Sequence, residues 1–563
     1  MPEDLALANF ARFQSLIDNF NRKLKLNDIV KRIWDKDFTV WKTDPDEISN
    51  RLGWLYSPES MTKHIPEISR FVEGLESENI SDVLLMGMGG SSLSPEFFGS
   101  VIVKEKPRFN FHVIDSTHPG VVKKYSEILN PSETLYITST KSGGTVETIS
   151  LLKYFYNFVR NSVGQKYVGN HFVAITDPGS GLEKIAGENN FRKIFLNDPE
   201  IGGRFSALSY FGLLPAGLCG WDISLLLERA GRMSEKCRRD EDNPGILLGS
   251  LIGCLALGGL NRLSILLPGQ FGLFGAWIEQ LIAESTGKEG KGVLPIICGP
   301  DWIEPEYTDN RYFVFLKMEG DDTHDEAIKT TIEAGIPSIQ IDLGDVYDFG
   351  GQFFLWGFAT AIAGYILKIN PFDQPNVESA KVAAREIVDA FRAYGRPTEP
   401  ESMKVERDIN IYKPFSENSL ESVFESFFEE PKKKKDSYIS IQAYLDPVQP
   451  VRRLLDEFKM KMENKLLLPV TVGFGPRYLH STGQLHKGDS GSGYFIQLMQ
   501  NYMPELLIPN EIGQGDGSIA FGTLIKAQCI GDRNALLQAK RNVLSIVFDA
   551  DKIEGLERLI SAI

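Results

Sequence analysis

From residue 83 onward, short apolar runs alternate with segments of helical periodicity, and this alternation restricts the fold more than any other feature of the sequence. Runs at 83–88, 111–114, 134–137 and 172–175 are short and predominantly apolar without a strict alternation, and each ends at Gly, Ser, Thr or Asp. A strand apolar at every position is buried on both faces, and the helical segments between the runs supply the covering layers. A doubly wound, mostly parallel sheet is expected. The pattern returns at 263–267, 293–297, 312–316 and 338–343, with helices over 274–285 and 325–334.

The expected class is therefore α/β, with two parallel-sheet domains at 81–235 and 236–415. Residues 1–80 read as a helical cap, with turns near Asp44-Pro45-Asp46 and Ser57-Pro58. The tract 416–437, with Glu429-Glu430-Pro431 and a lysine run, reads as an exposed linker whose lysines are solvated surface. Residues 438–563 supply further strand patterns at 439–443, 467–472, 494–498 and 543–548, and read as a C-terminal α/β segment.

The chain has 563 residues, enough for several cores and a cleft between them. Its 60 Lys and Arg against 75 Asp and Glu give a net charge of -15, which repels polyanions and argues against nucleic-acid or anionic-membrane partners. Five widely spaced cysteines contain no C-x-x-C pair, so a reducing cytoplasm is expected and a thiolate metal site is not. The acidic start lacks the pattern of a leader peptide. The apolar run 246–260 is too short to span a bilayer and is expected to form a buried helix.

Two strand-to-helix junctions are suited to a small anion. The first is Gly87-Met88-Gly89-Gly90-Ser91-Ser92, where glycines permit close backbone approach and Ser91 and Ser92 offer hydroxyls, just ahead of a helix expected from Glu96. It completes neither the P-loop nor the dinucleotide fingerprint. The second, Thr140-Lys141-Ser142-Gly143-Gly144-Thr145, concentrates hydroxyls, an ammonium and two glycines where free helix N–H groups already favour negative charge. A structural turn explains either junction alone, but not their recurrence.

Three further residues interrupt local patterns. Glu284 occupies the apolar stripe of Phe274, Trp277, Ile278 and Leu281, in the last turn of its helix, where burial and the helix dipole both push a carboxyl upward towards general-base behaviour. The alternative is a surface pair with Lys288. Lys381 interrupts a stripe of Val377, Ala384, Val388 and Phe391, and either snorkels outward or enters a polar site. Arg204 follows Gly202-Gly203, which lets its guanidinium approach a ligand and offset charge developing on an oxygen, although a structural salt bridge fits equally.

In these motifs, taken in order with Glu284-Ser285-Thr286-Gly287-Lys288 and Asn370-Pro371-Phe372-Asp373-Gln374, the sequence resembles the phosphoglucose isomerase family, built from tandem sugar-isomerase (SIS) domains of flavodoxin-like form. More closely, it is similar to the isomerase half of bifunctional transaldolase/phosphoglucose isomerase proteins, which share Asn50-Arg51-Leu52-Gly53-Trp54-Leu55 and the stretch from Arg477-Tyr478-Leu479-His480 to His486-Lys487-Gly488. The isomerase motifs begin near residue 80, leaving too little chain ahead of them for a barrel of ~250 residues, so the isomerase is expected to stand alone.

The resemblance implies substrate binding by Gly90, Ser91, Ser92, Thr140, Lys141, Ser142 and Thr145. It makes Glu284 the proton-transferring base and Arg204 the stabiliser of an enediolate, with Lys381 and Gln374 lining the sugar site. Glucose 6-phosphate and fructose 6-phosphate are the implied pair, interconverted without metal or redox cofactor, by a homodimer. One departure stands out: the family's ring-opening histidine lies between base and lysine, where this chain has only His324 in a dissimilar context. His480 and His486 are chemically better candidates, the alternative being that they only fix their loop. A non-catalytic sugar-phosphate-binding protein, or an isomerase also taking mannose 6-phosphate, are the competing readings. Gln374 resembles the glucose-restricted members, and Glu284 favours an enzyme.

Overall fold

A computed structural model of the chain describes residues 5–103, 107–298, 310–377, 382–383, 385–388, 401–406, 408–412, 415, 417–434, 436–501 and 503–563. The N-terminal part is helical over Gln14–Leu26, Ile29–Trp34 and Ile65–Glu76, as expected, but it opens on a strand, β1 (Leu5–Ala8). Short, and buried mainly at Leu5, β1 carries too little periodicity to be read without its partner. The turn expected at Ser57-Pro58 is instead the start of the short helix Ser57–Ser60, with proline in its first turn.

The first sheet holds β2 (Asp82–Gly87), β3 (Asn110–Ile114), β4 (Thr134–Ser139), β5 (Phe172–Thr176) and β6 (Lys193–Leu196), all parallel, in the order β3-β2-β4-β5-β6. The second holds β7 (Arg262–Leu266), β8 (Leu294–Cys298), β9 (Arg311–Met318) and β10 (Ser338–Leu343) in the order β8-β7-β9-β10, with β1 added antiparallel to β10. Both follow the flavodoxin-like order, in which the second strand lies outside the first and the winding reverses between first and third. Ligands bind in the crevice that this reversal opens at the carboxyl ends of the strands.

The C-terminal part repeats the order a third time. After β11 (Ser402–Glu406) and β12 (Ile409–Tyr412), strands β13 (Tyr438–Tyr444), β14 (Val470–Phe474), β15 (Gly493–Gln500) and, beyond a small antiparallel pair β16 (Leu507–Ile508) and β17 (Ile519–Ala520), β18 (Asn542–Phe548) complete a sheet ordered β14-β13-β15-β18-β12-β11. Strands β14, β13, β15 and β18 are parallel, β12 runs against them, and β11, antiparallel to β12, closes the far edge in their direction.

The tract expected to be an exposed linker belongs to this third unit. Leu420, Val423, Phe424, Phe427 and Phe428 fall on one face of the helix Leu420–Glu429 and are buried in the third core. Flanking charges mask that stripe in composition, although its spacing is helical. The lysines beyond it are solvated: Lys433 and Lys434 pair with Glu429 and Glu430, four residues earlier.

Two apolar helices form the spine beneath the second sheet. Pro244–Leu257, the buried helix expected over 246–260, packs on Asp348–Leu367, where a methyl on Gly249 would come within 2.4 Å of the Ala359 carbonyl oxygen. Among the described residues Asp348–Leu367 alone is long and apolar enough to cross a membrane, and 94% of its most apolar window is buried inside the protein. Phe97, on the helix after β2, packs at tilted and edge-on angles among Phe98, Trp221, Phe274, Phe349 and Phe353. That aromatic knot fixes the helix Gly272–Thr286, which carries Glu284, against the first sheet's β2 junction.

Candidate active site

At the reversal of the first sheet, β2 and β4 end side by side and the two expected anion junctions meet. Ser139 Oγ donates to the Ser91 carbonyl oxygen at 3.1 Å, and Ser92 Oγ closes its own turn on the Gly89 carbonyl oxygen at 3.1 Å. Gly89 has φ +55°, a left-handed conformation that favours glycine. A methyl on Gly90 would lie 2.0 Å from the Gly203 carbonyl oxygen, so this junction packs backbone to backbone against the loop bearing Arg204.

In the second junction the Thr140 and Thr145 hydroxyls meet at 3.0 Å, Ser142 Oγ accepts from the Gly144 N–H at 3.3 Å, and Ser142 itself is exposed. Lys141 is more occupied than a free phosphate ligand: it pairs with Asp177 and donates to the Pro199 carbonyl oxygen at 2.7 Å. Any anion arriving at this junction would have to compete with Asp177 for the ammonium.

Arg204 is buried at 4% exposure and bonded along its whole fork. Nε donates to Ser285 Oγ at 2.8 Å, one terminal nitrogen to Gln374 Oε1 at 3.0 Å, and the other to the Pro371 and Asp373 carbonyl oxygens at 2.8 and 2.9 Å. Glu284 stands 3.2 Å from the same guanidinium, and Gln280, one helical turn earlier, donates to Glu284 Oε2 at 3.0 Å. Burial lowers the Arg204 pKa, with Glu284 and then Asp373 opposing the shift. The surface pair of Glu284 with Lys288 does not form. Lys288 is buried, bonds Asp373 Oδ1 at 2.6 Å, and is pushed down to about 8 by burial and by Arg204.

The two histidines part company. His480 reaches the site from the turn after β14: its carbonyl oxygen accepts from Gln280 Nε2 at 2.6 Å, while Nε2 of its ring meets Glu147 Oε1 at 3.1 Å. A carboxylate can only accept, so Nε2 carries the proton in this tautomer and Nδ1 is the nitrogen left for exchange. His486 lies in the third core among Tyr438, Tyr478 and Phe495, with burial holding it well below the ordinary histidine range. His324, at the start of the helix Asp325–Glu333, bonds the Leu267 carbonyl oxygen at 3.1 Å. Lys381 and most of the stripe expected over 377–391 lie outside the described residues.

Glu147 and Gln280 were not singled out in the sequence, and Lys288 entered only as a possible surface partner of Glu284. Glu147 carried a faint signal, an acid in the first turn of the apolar helix Val146–Val163 directly after the Thr/Ser cradle; Gln280 carried another, standing four residues before Glu284. Beneath the site, Arg477 gathers Glu96 at 2.5 Å and Asp115 at 2.8 Å. Burial raises Asp115 to about 6 and Glu279 to about 7, against the opposing charge of Arg477. Among the described residues, no group of three or more His, Cys, Asp or Glu is placed to hold a metal ion.

Against known proteins, residues 59–293 match the phosphoglucose isomerase family model, a span that includes both junctions, Arg204 and Glu284. A probable glucose-6-phosphate isomerase of Methanococcus maripaludis is 31% identical over 358 residues, covering 55% of this chain and 79% of its own length. A glucose-6-phosphate isomerase of Fusobacterium nucleatum is 28% identical over 422 residues, 65% of this chain and 93% of that one. Among solved structures, a glucose-6-phosphate isomerase from Chlamydia trachomatis shares the fold at TM-score 0.58 and 17% identity, over 67% of this chain and 86% of that one. A hypothetical protein from Thermus thermophilus does so at TM-score 0.59 and 24% identity, over 68% and 99%. With a family-model match over residues 59–293 and a relative 31% identical across 79% of its own length, the chain belongs to the phosphoglucose isomerase family.

Proposed function

We propose that the protein interconverts glucose 6-phosphate and fructose 6-phosphate by proton transfer through an enediolate. The observation that carries this reading is the convergence of Glu284, Arg204, Gln280 and His480 on the crevice beside the two hydroxyl-bearing junctions. The phosphate sits at the start of the helix Val146–Val163, held by Thr140, Lys141, Ser142 and Thr145 with Gly90, Ser91 and Ser92 alongside. That anchoring orients the first two carbons of the sugar at Glu284, so remote binding energy serves the reacting centre.

His480, oriented by Glu147, moves the proton that opens the ring. Glu284 then takes the C2 proton of glucose 6-phosphate and returns it to C1, and the Arg204 cation offsets charge developing on the enediolate oxygen. Gln374, fixed by Arg204, lines the sugar site; the part of Lys381 rests on the family resemblance alone. Five free thiols suit the cytoplasm.

The test is a coupled assay of fructose 6-phosphate conversion in chelator, beside mannose 6-phosphate. Turnover is expected with fructose 6-phosphate and not with mannose 6-phosphate. Glu284→Gln should lower kcat by at least ~10²-fold, the lower range for a positioned general base, with sugar-phosphate binding retained. Wild-type turnover in that variant would remove the base and leave a ligand-holding scaffold.

A further inference from the structure

We infer that the helix Phe521–Gln538 of the third unit is a positioning element of the active site, in which Gln528 and Asp532 hold the two members of the Glu147–His480 pair in register. The inference rests on the reading of that pair as the ring-opening proton carrier. Residues four apart lie on one helix face, and this face is turned inward: Gln528 is 3% exposed and Asp532 fully buried.

Gln528 Nε2 donates to Glu147 Oε1 at 2.7 Å, and Gln528 Oε1 accepts from Thr117 Oγ1 at 2.7 Å. The oxygen that receives the amide is the one that meets His480 Nε2. The amide thus determines where that oxygen lies and which way it directs the imidazole. Asp532 acts on the other member. Its Oδ2 accepts from Tyr478 at 2.7 Å, two residues before His480, and from Gln497 at 3.2 Å, while its Oδ1 accepts from Lys487 at 2.5 Å. One carboxylate therefore pins the stretch carrying His480 on both sides.

Neither residue belongs to the strand-to-helix junctions, and neither is needed for general acid or base chemistry. Their contribution is geometric, and geometry of this kind acts on rate: displacement by about 1 Å costs a reaction up to ~10²-fold. Removing the amide leaves that oxygen with His480 Nε2 but without the donor that fixes its position.

The experiment compares Gln528→Leu and Gln528→Glu with wild type and Glu284→Gln in the full-length protein, using the fructose 6-phosphate assay from pH 5 to 9. Folding is followed by circular dichroism. Gln528→Leu should lose about 10- to 100-fold in kcat with KM changed less than about twofold. Gln528→Glu sets a second carboxyl against Glu147. When that carboxyl is protonated it donates as the amide does, and when ionised it repels, so relative activity should recover on the acid side of the profile. A merely structural role would lower the folded fraction and leave the pH profile of the folded enzyme untouched. Wild-type kcat and profile in both folded variants, with Glu284→Gln inactive, overturns the inference alone; an active Glu284→Gln overturns the site reading on which it rests.

Discussion

A single buried guanidinium organises this site. Arg204 bonds Ser285 on the helix of Glu284 and three groups of the 371–374 loop, so removing it would leave several buried acceptors without their donor as well as Glu284 without its counter-charge. Lys141 presents the opposite case, a cation already engaged by Asp177. Lys141→Ala should raise the KM for fructose 6-phosphate with a smaller effect on kcat, measured by steady-state kinetics; an unaltered KM would mean the phosphate sits elsewhere. Glu279 bears on stability rather than chemistry. Its carboxyl lies at about 7 in the folded protein, because burial outweighs the pull of Arg477 and the hydrogen bond of Ser481, against ~4.3 in an unfolded chain. Between those values the folded state binds more protons, so the stability it contributes is full at low pH and lost as pH rises through about 7. Glu279→Gln removes that decline. Its urea midpoint should gain on wild type from pH 5 to pH 8, and parallel pH curves would contradict the assignment.

At the scale of elements, the site depends on how one helix is held. Glu284 and Gln280 ride on Gly272–Thr286, whose Phe274 and Trp277 meet Phe353 edge-on, while Phe97 joins Phe274 to the first sheet. Phe97→Ala should cost about 3–5 kcal/mol of unfolding free energy, the usual range for an emptied aromatic core site, read from denaturant midpoints at unchanged m. Activity of the surviving folded fraction should fall as well, because Phe97 packs the helix after β2 against Phe274 on the helix that carries Glu284. The helix Leu420–Glu429 teaches a different lesson at this scale. Charge runs around it suggested a linker, yet the spacing of its phenylalanines already described a face needing a partner.

Across the whole molecule, three sheets repeat one strand order and the third lends a crossover to the crevice of the first two. The segment after β14 brings Arg477 onto Glu96 and Asp115, and His480 onto Glu147 and Gln280. Tight backbone contact secures it: a methyl on Gly287 would meet Leu485 Cα at 2.3 Å, and one on Gly488 would meet the Gly287 carbonyl oxygen at 2.3 Å. Thiols distributed along the chain report on this assembly. Cys219, Cys237, Cys254, Cys298 and Cys529 are all buried, and burial pushes each above the ordinary thiol range. The native protein should react with essentially no thiol reagent, and all five should titrate together on denaturation. Early reaction at Cys529 alone would show the third unit opening independently.

Whatever depends on neighbours along the chain was legible before any fold was known. Apolar runs become parallel strands, and glycines with hydroxyls at strand ends become the paired turns where the first sheet reverses. An acid in the stripe of Phe274–Leu281 becomes a carboxylate at the crevice, because each signal lies within a few helical turns. Which histidine enters the site was a matter of packing in three dimensions, since His480 meets Glu147 across 333 residues and Gln528 meets it across 381. No local pattern separates His480 from His486; one side of a crossover faces the crevice and the other its own core, and the packing of the third sheet selects between them. The partners of Glu284 and Lys288 were settled the same way: two cations and two carboxylates permit more than one pairing in sequence, and burial within one loop cluster admits Arg204–Glu284 and Lys288–Asp373.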